Sequence, residues 1–207
     1  PVGLGIVVTL AVSARWGWWR ALFHEEHRLT GHRWVWAVPA LMVVTIAAQL
    51  IAAPWHEFDT GLVLLIFAGT MLVGFGEEIV FRGYLLVGAR ARWSERGAWF
   101  VTSLLFGLFH GLNILTGQDV PTTVRQVVFA FVMGGALYLA RRLSGLLVVG
   151  MIIHGFWDFS TFLGAGRGEA VDVTAQSAVP GLIGMLAMLV TIAALIAVFR
   201  RGGGEPA

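Results

Sequence analysis

Long apolar runs separated by short polar breaks account for almost the whole chain, and that pattern predicts helices that cross a membrane. Pro1 to Ala14 is apolar but shorter than the ~20 residues of a full span, and Trp16, Trp18 and Trp19 follow it as interfacial anchors. Residues 20–33, RALFHEEHRLTGHR, read as a polar loop. Trp34 to Ala53 reads as a second span stopped by Pro54, and PWHEFDT (54–60) as a short acidic turn. A third span begins at Gly61, RARWSER (90–96) is a basic loop, and Ala98 to Leu112 is a fourth, short span. Asn113 to Thr123 is rich in turn formers, Val124 to Ala140 is a fifth span closed by Arg141 and Arg142, and Gly145 to Leu163 is a sixth. A small-residue, partly disordered loop over 164–178 leads to the clearest span, Pro180 to Phe199, and to a flexible GGGEPA tail. The expectation is an all-α polytopic membrane helix bundle, one domain over 1–207, with about seven transmembrane helices and six to eight allowed.

Composition agrees with the pattern. Of 207 residues, 57% are hydrophobic and 13% charged, against about 25% charged in ordinary globular domains. The absence of Cys excludes disulfides, thiolate metal sites and a cysteine nucleophile. All 14 basic residues are Arg, which points to a GC-rich bacterial source and hence to the bacterial inner membrane. The pI near 9.9 need not mean nucleic acid, because no stripe of alternating basic and aromatic residues accompanies it. The first run lacks a basic flank and a cleavage site, so no cleavable signal is expected, and the missing initiator Met suggests processing or trimming. The loops after spans one, three, five and seven hold eleven Arg, against Arg125 and Arg167 in the other loops. By the positive-inside rule the first end is outside and the C-terminus is cytoplasmic.

Against this background a few polar residues stand inside apolar spans. The run from Leu62 to Val87 carries Glu77, Glu78 and Arg82, each costing roughly 2.5–3.5 kcal/mol at bilayer depth on insertion scales. Glu78 and Arg82 are four residues apart in the favoured acid-first order and pair on one helix face. Glu77 is turned about 100° away and has no such partner. His110 closes FGLFH (106–110) in the fourth span. His154 and Asp158 share one face of the sixth through their i, i+4 spacing in HGFWD (154–158). Ionisable groups from three spans must face the bundle interior or lose compensation. The bland alternatives are a cluster at a helix end in the headgroup region, helix-to-helix hydrogen bonds for the histidines and a capping role for Asp158.

EEIVFR (77–82), followed by Gly83-Tyr84-Leu85, resembles the EExxxR motif of the CAAX-protease and bacteriocin-processing (CPBP, also called ABI) family of intramembrane proteases. FGLFH is similar to its FxxxH motif and HGFWD to its HxxxN or HxxxD motif, in the expected order over roughly 61–163. HExxH is absent, HEEH at 24–27 has the wrong spacing and reads as a solvated or headgroup-facing segment, and no GxSG serine elbow occurs.

The resemblance implies an endopeptidase in which Glu77 and His110 activate water for attack on a peptide carbonyl. His154 and Asp158 would position or stabilise the tetrahedral oxyanion, with Glu78 and Arg82 as structural support. An ionised Asp158 would repel an oxyanion, so three roles stay open for it: donating as the neutral acid, orienting His154, or binding a metal. Glu77, His110, His154 and Asp158 are also a plausible zinc set with an open water position, and water activation with and without zinc remain equally open. Asn113 and Trp157 neighbour the motifs and are candidates to line the pocket. The expected partners are membrane lipid and a membrane-associated peptide or protein substrate, with no nucleic acid. The runner-up is a non-proteolytic scaffold, immunity factor or proton-coupled transporter using the buried carboxylates.

Overall fold

Apolar length dictates the architecture of the computed structural model, which describes residues 2–166 and 178–200. In chain order the α-helices are α1 (Val2–Trp16), α2 (Trp19–Phe23), α3 (Ala37–Ala52), α4 (Thr60–Glu78), α5 (Leu86–Arg90), α6 (Glu95–Phe109), α7 (Val120–Ser144), α8 (Leu147–Gly164) and α9 (Ala178–Arg200). A π-helical stretch, Ile79–Leu85, joins α4 to α5, and a 3₁₀ segment, His110–Thr116, continues α6. Among the described residues six helical segments are long and apolar enough to cross a membrane, and α1 contains a shorter apolar helix. No strand occurs among them; His24 and Leu146 form an isolated antiparallel bridge. The polytopic all-α expectation therefore holds. The loop expected over 164–178 and the GGGEPA tail lie almost wholly outside the described residues.

Element boundaries follow local chemistry. The Asp59 carboxylate accepts from the Leu62 backbone N–H at 2.9 Å and caps α4, as an N-cap Asp does for the donors exposed at a helix start. Asp119 caps α7 in the same way through the Thr122 N–H, and that bond holds its carboxyl below the usual carboxylate range. The fifth span is longer than its apolar run, because α7 continues through Arg141 and Arg142 to Ser144. The third is longer still: Thr60 to Arg90 is one helical segment of 31 residues, roughly 45 Å at ~1.5 Å per residue.

α7 is the centre of the bundle. Its residues Met133 to Leu143 are buried, and Leu137, Tyr138 and Leu139 pack with Val38 and Met42 of α3, Trp157 of α8 and Leu195 of α9. The outer faces present Leu64, Leu65, Leu104, Leu105, Leu186 and Leu189, an apolar exterior suited to lipid. Helix α4 lies directly on α8 at a glycine pair. A Cβ on Gly74 would sit 2.6 Å from the Gly155 nitrogen, and one on Gly155 would meet Met71 at 2.6 Å. Small residues let backbones approach this closely in membranes, where dispersion rather than hydrophobicity drives helix association. The contact brings EEIVFR against HGFWD.

The stretch expected to be a solvated loop is tied into the protein. Glu25 of HEEH is buried; its carboxylate accepts from Arg90 Nη1 at 3.0 Å and Arg141 Nε at 2.8 Å. Arg90 also grips Glu95 with two nitrogens, at 2.7 and 2.9 Å, and Tyr138 donates to the same Glu95 at 2.7 Å. Arg142 donates to the His27 carbonyl at 2.6 Å. Thus Arg90, Arg141 and Arg142, counted from the sequence as loop charges, are internal ion-pair partners. Sequence pattern misassigned them because their acids are distant in the chain or in another element: Glu25 for Arg90 and Arg141, and Glu95 for Arg142. Glu25→Ala strips two buried arginines of their shared acid and is expected to cost about 3–5 kcal/mol. Equilibrium unfolding in detergent measures that loss, and an unchanged midpoint contradicts the network's role.

Candidate active site

The site starts from the carboxylate that sequence spacing pairs with an arginine. Glu78 and Arg82 meet at 2.7 Å with essentially no exposure of either side chain. They straddle the start of the π-helical stretch, an irregularity that recurs at functional sites because it re-aims side chains. The Arg82 guanidinium lies over the Phe106 ring, 4.0 Å from its centroid, and the Arg82 backbone carbonyl accepts from Arg141 Nη1. Room for the ion pair comes from missing side chains. A Cβ on Gly134 would stand 3.0 Å from Arg82 Nη2, and one on Gly150 3.2 Å from Glu78 Oε2.

Glu78 has a second partner that the sequence reading lacked. His154, 4% exposed, places Nδ1 3.1 Å from Glu78 Oε1. A carboxylate paired with Arg82 only accepts, so His154 Nδ1 carries the hydrogen and Nε2 is the free edge. That Nε2 lies 3.6 Å from Asp158 Oδ2 and 3.9 Å from Glu77 Oε2. Glu78 is therefore both the structural support expected of it and the group that orients His154. His110 is arranged by the same logic. It caps the end of α6, and its Nδ1 is 2.9 Å from the Phe106 carbonyl. A carbonyl oxygen cannot donate, so the tautomer leaves His110 Nε2 available. Phe106 stands edge-on to both imidazoles, with ring centroids 5.0 Å from His110 and 5.6 Å from His154. One aromatic ring thus spaces Arg82, His110 and His154.

These groups open onto a cavity of about 520 Å³ between α4, α8 and the 3₁₀ segment. Glu77, His110, Asn113 and Asp158 line it together with Gln126 and apolar walls that include Ile66, Phe109 and Phe162. A chamber of about 40 Å³ adjoins it; His110, Gln126 and Asp158 belong to both, and His154 and Trp157 complete the smaller. The fold thus brings together all six site and pocket candidates expected from the motifs. The imidazole that reaches Glu77 is that of His154 rather than His110. Sequence reasoning met Phe106 only as the first residue of the FxxxH motif, with no role of its own, and missed Gln126. Gln126 was detectable as a strongly polar amide inside the apolar fifth span, had uncharged groups been weighed with the ionisable ones.

The donor set has the chemistry of a zinc site but is not arranged as one. Among the described residues no three His, Asp or Glu side chains converge as ligands of one ion. The contacts instead radiate from His154, whose Nδ1 is already committed to Glu78. As placed, the residues do not fit a metal.

A family model described as type II CAAX prenyl endopeptidase, Rce1-like, matches residues 59–160, about half of the chain and all three motifs. The segment that builds the cavity belongs to the Rce1-like family. No curated protein and no solved structure matches the chain. Membership in the Rce1-like endopeptidases supports a multi-pass membrane protein of the protease class.

Within this Rce1-like core the Glu78–Arg82 pair is isolated from water, so its halves are unequal to lose. Arg82→Met leaves a buried carboxylate uncompensated and is expected to destabilise by about 3–5 kcal/mol. The double variant Arg82→Met/Glu78→Leu should recover part of that loss in unfolding measurements, because it removes the stranded charge as well. A double variant less stable than the single one would contradict the pairing.

Proposed function

We propose that this Rce1-like protein hydrolyses a peptide bond in a membrane-associated polypeptide, using water activated between Glu77 and His110. The observation that carries the reading is that Glu77 and His110 border one cavity while, among the described residues, Glu77 Oε2 has no hydrogen-bond partner and His110 is held through Nδ1 alone. Water donates one hydrogen bond to His110 Nε2 and loses its proton to the Glu77 carboxylate as its oxygen attacks the carbonyl carbon. Glu77 returns that proton to the leaving nitrogen when the C–N bond breaks, giving a carboxylate end and an amine end. His154, held through Nδ1 by Glu78, supports the developing charge as the imidazolium, donating from Nε2, with Asp158 Oδ2 3.6 Å from that nitrogen. The apolar walls around Ile66, Phe109 and Phe162 suit a peptide with apolar side chains flanking the cleaved bond. No Ser, Cys or Thr nucleophile is required, in keeping with the motif set.

We further propose that the reaction proceeds without a metal, because the side chains converge pairwise on His154 rather than together on one point. General base catalysis of this kind contributes typically about 10²–10⁴-fold. Glu77→Gln is therefore expected to lower kcat/KM by at least about 10²-fold on internally quenched peptides in lipid nanodiscs, with the unfolding midpoint preserved. Full hydrolysis by that variant would remove Glu77 from the chemistry, and Glu77-dependent proton flux in liposomes without peptide cleavage would favour a transport role. Metal analysis of the purified protein, read beside chelator treatment, should show no stoichiometric ion and no loss of rate. Inactivation by chelator that zinc reverses would replace the metal-free scheme.

A further inference from the structure

The proposed reaction creates an oxyanion in a site crowded with carboxylates. Glu77, Glu78 and Asp158 all lie around His154, and acceptors of this kind repel a forming alkoxide. Stabilisation needs N–H donors aimed at the place where the charge appears. Arg82 does not serve, since it is paired with Glu78 and does not line either compartment. The small chamber is where donors gather. Its volume of about 40 Å³ exceeds the ~10–15 Å³ of such space that one water needs, and so has room for a carbonyl oxygen. Besides the two histidines and Asp158, its polar lining is Gln126 and Trp157.

Both carry uncommitted donors. Gln126 is 8% exposed, and its Oε1 accepts from Asn113 Nδ2 at 2.8 Å. With Oε1 committed to that bond, the NH₂ half has no partner among the described residues. Trp157 is 2% exposed, its ring packs on Phe129 at 5.8 Å, and its indole Nε1 is buried with no hydrogen-bond partner among the described residues. A buried indole N–H left unpaired is unfavourable, so an acceptor in this chamber is the economical answer. The two donors come from different helices, α7 and α8, and both residues line the same recess.

Building on the endopeptidase reading above, we infer that Gln126 Nε2 and Trp157 Nε1 form the oxyanion-binding pair of this protein, with the scissile carbonyl oxygen seated in the small chamber. Asn113 is then a positioning residue, acting through Gln126. This division of labour frees Asp158 from donating to the oxyanion and leaves it to hold the His154 edge. It also gives Trp157 a role beyond packing.

The test uses the protein in nanodiscs and an internally quenched peptide that it cleaves, with Glu77→Gln assayed beside the other variants. Gln126→Met, close in size and without an N–H, is expected to lower kcat by about 10²–10³-fold with KM little changed. Trp157→Phe keeps the aromatic packing on Phe129 and should lower kcat in the same way. A peptide aldehyde of the cleaved sequence, whose hydrate mimics the tetrahedral intermediate, should lose affinity in each variant by the factor lost in kcat. That proportionality is what a purely structural role would not produce. Full kcat and undiminished aldehyde binding in both variants overturns the inference while leaving a Glu77-dependent peptidase in place. Peptide hydrolysis unaffected by Glu77→Gln overturns the underlying reading instead.

Discussion

Glu78 is the residue on which the rest of the site depends. Its carboxylate is removed from water, and one of its oxygens is shared by Arg82 at 2.7 Å and His154 at 3.1 Å. An ionised carboxylate in such surroundings is tolerable only when paired and hydrogen-bonded. Satisfying it locks α4, with its π-helical continuation, to α8 at a fixed depth and rotation. The Gly74–Gly155 contact makes the approach possible, and the Glu78 contacts give it a register. Glu77, one residue earlier, is then presented to the cavity as a consequence of where Glu78 must point.

A second ionic cluster stands behind the first. Glu25, Arg90, Glu95, Arg141 and Arg142 join the polar segment before α3 to the ends of α5 and α7 and the start of α6. The two clusters touch where Arg141 donates to the Arg82 carbonyl. Charged residues are costly in an apolar bundle, so the protein concentrates them where each satisfies several others. Buried polar groups therefore set the relative positions of helices whose apolar faces, packing almost equally well in many registers, would not do so alone.

The active-site proposal rests on a similar economy. Each histidine spends Nδ1 on an orienting acceptor, Glu78 or the Phe106 carbonyl, and keeps Nε2 for the cavity. Gln126 spends its oxygen on Asn113 and keeps its donors. Phe106 separates the two imidazoles and carries the Arg82 guanidinium on its face. It is as much a part of the site as the residues it spaces, although it has no chemistry of its own.

By itself the sequence determined the class of fold, because apolar runs of span length have few stable forms other than helices in a membrane. It also determined the Glu78–Arg82 pair, since i, i+4 spacing is local geometry, and it singled out Glu77, His110, His154 and Asp158 because ionisable groups in apolar spans demand an explanation. Asn113 and Trp157 were legible by their nearness to those motifs. What only the tertiary structure decided is which of these groups meet. That Glu78 holds His154, that Arg141 reaches Arg82 and that Glu25 of an apparently solvated segment is buried between arginines are contacts across 59 to 116 positions of chain. No local periodicity encodes contacts of that separation. Gln126 went unread, and Phe106 stayed a motif letter without a role, for the same reason: an amide or an aromatic ring in a span is ordinary until its neighbours from other helices are known.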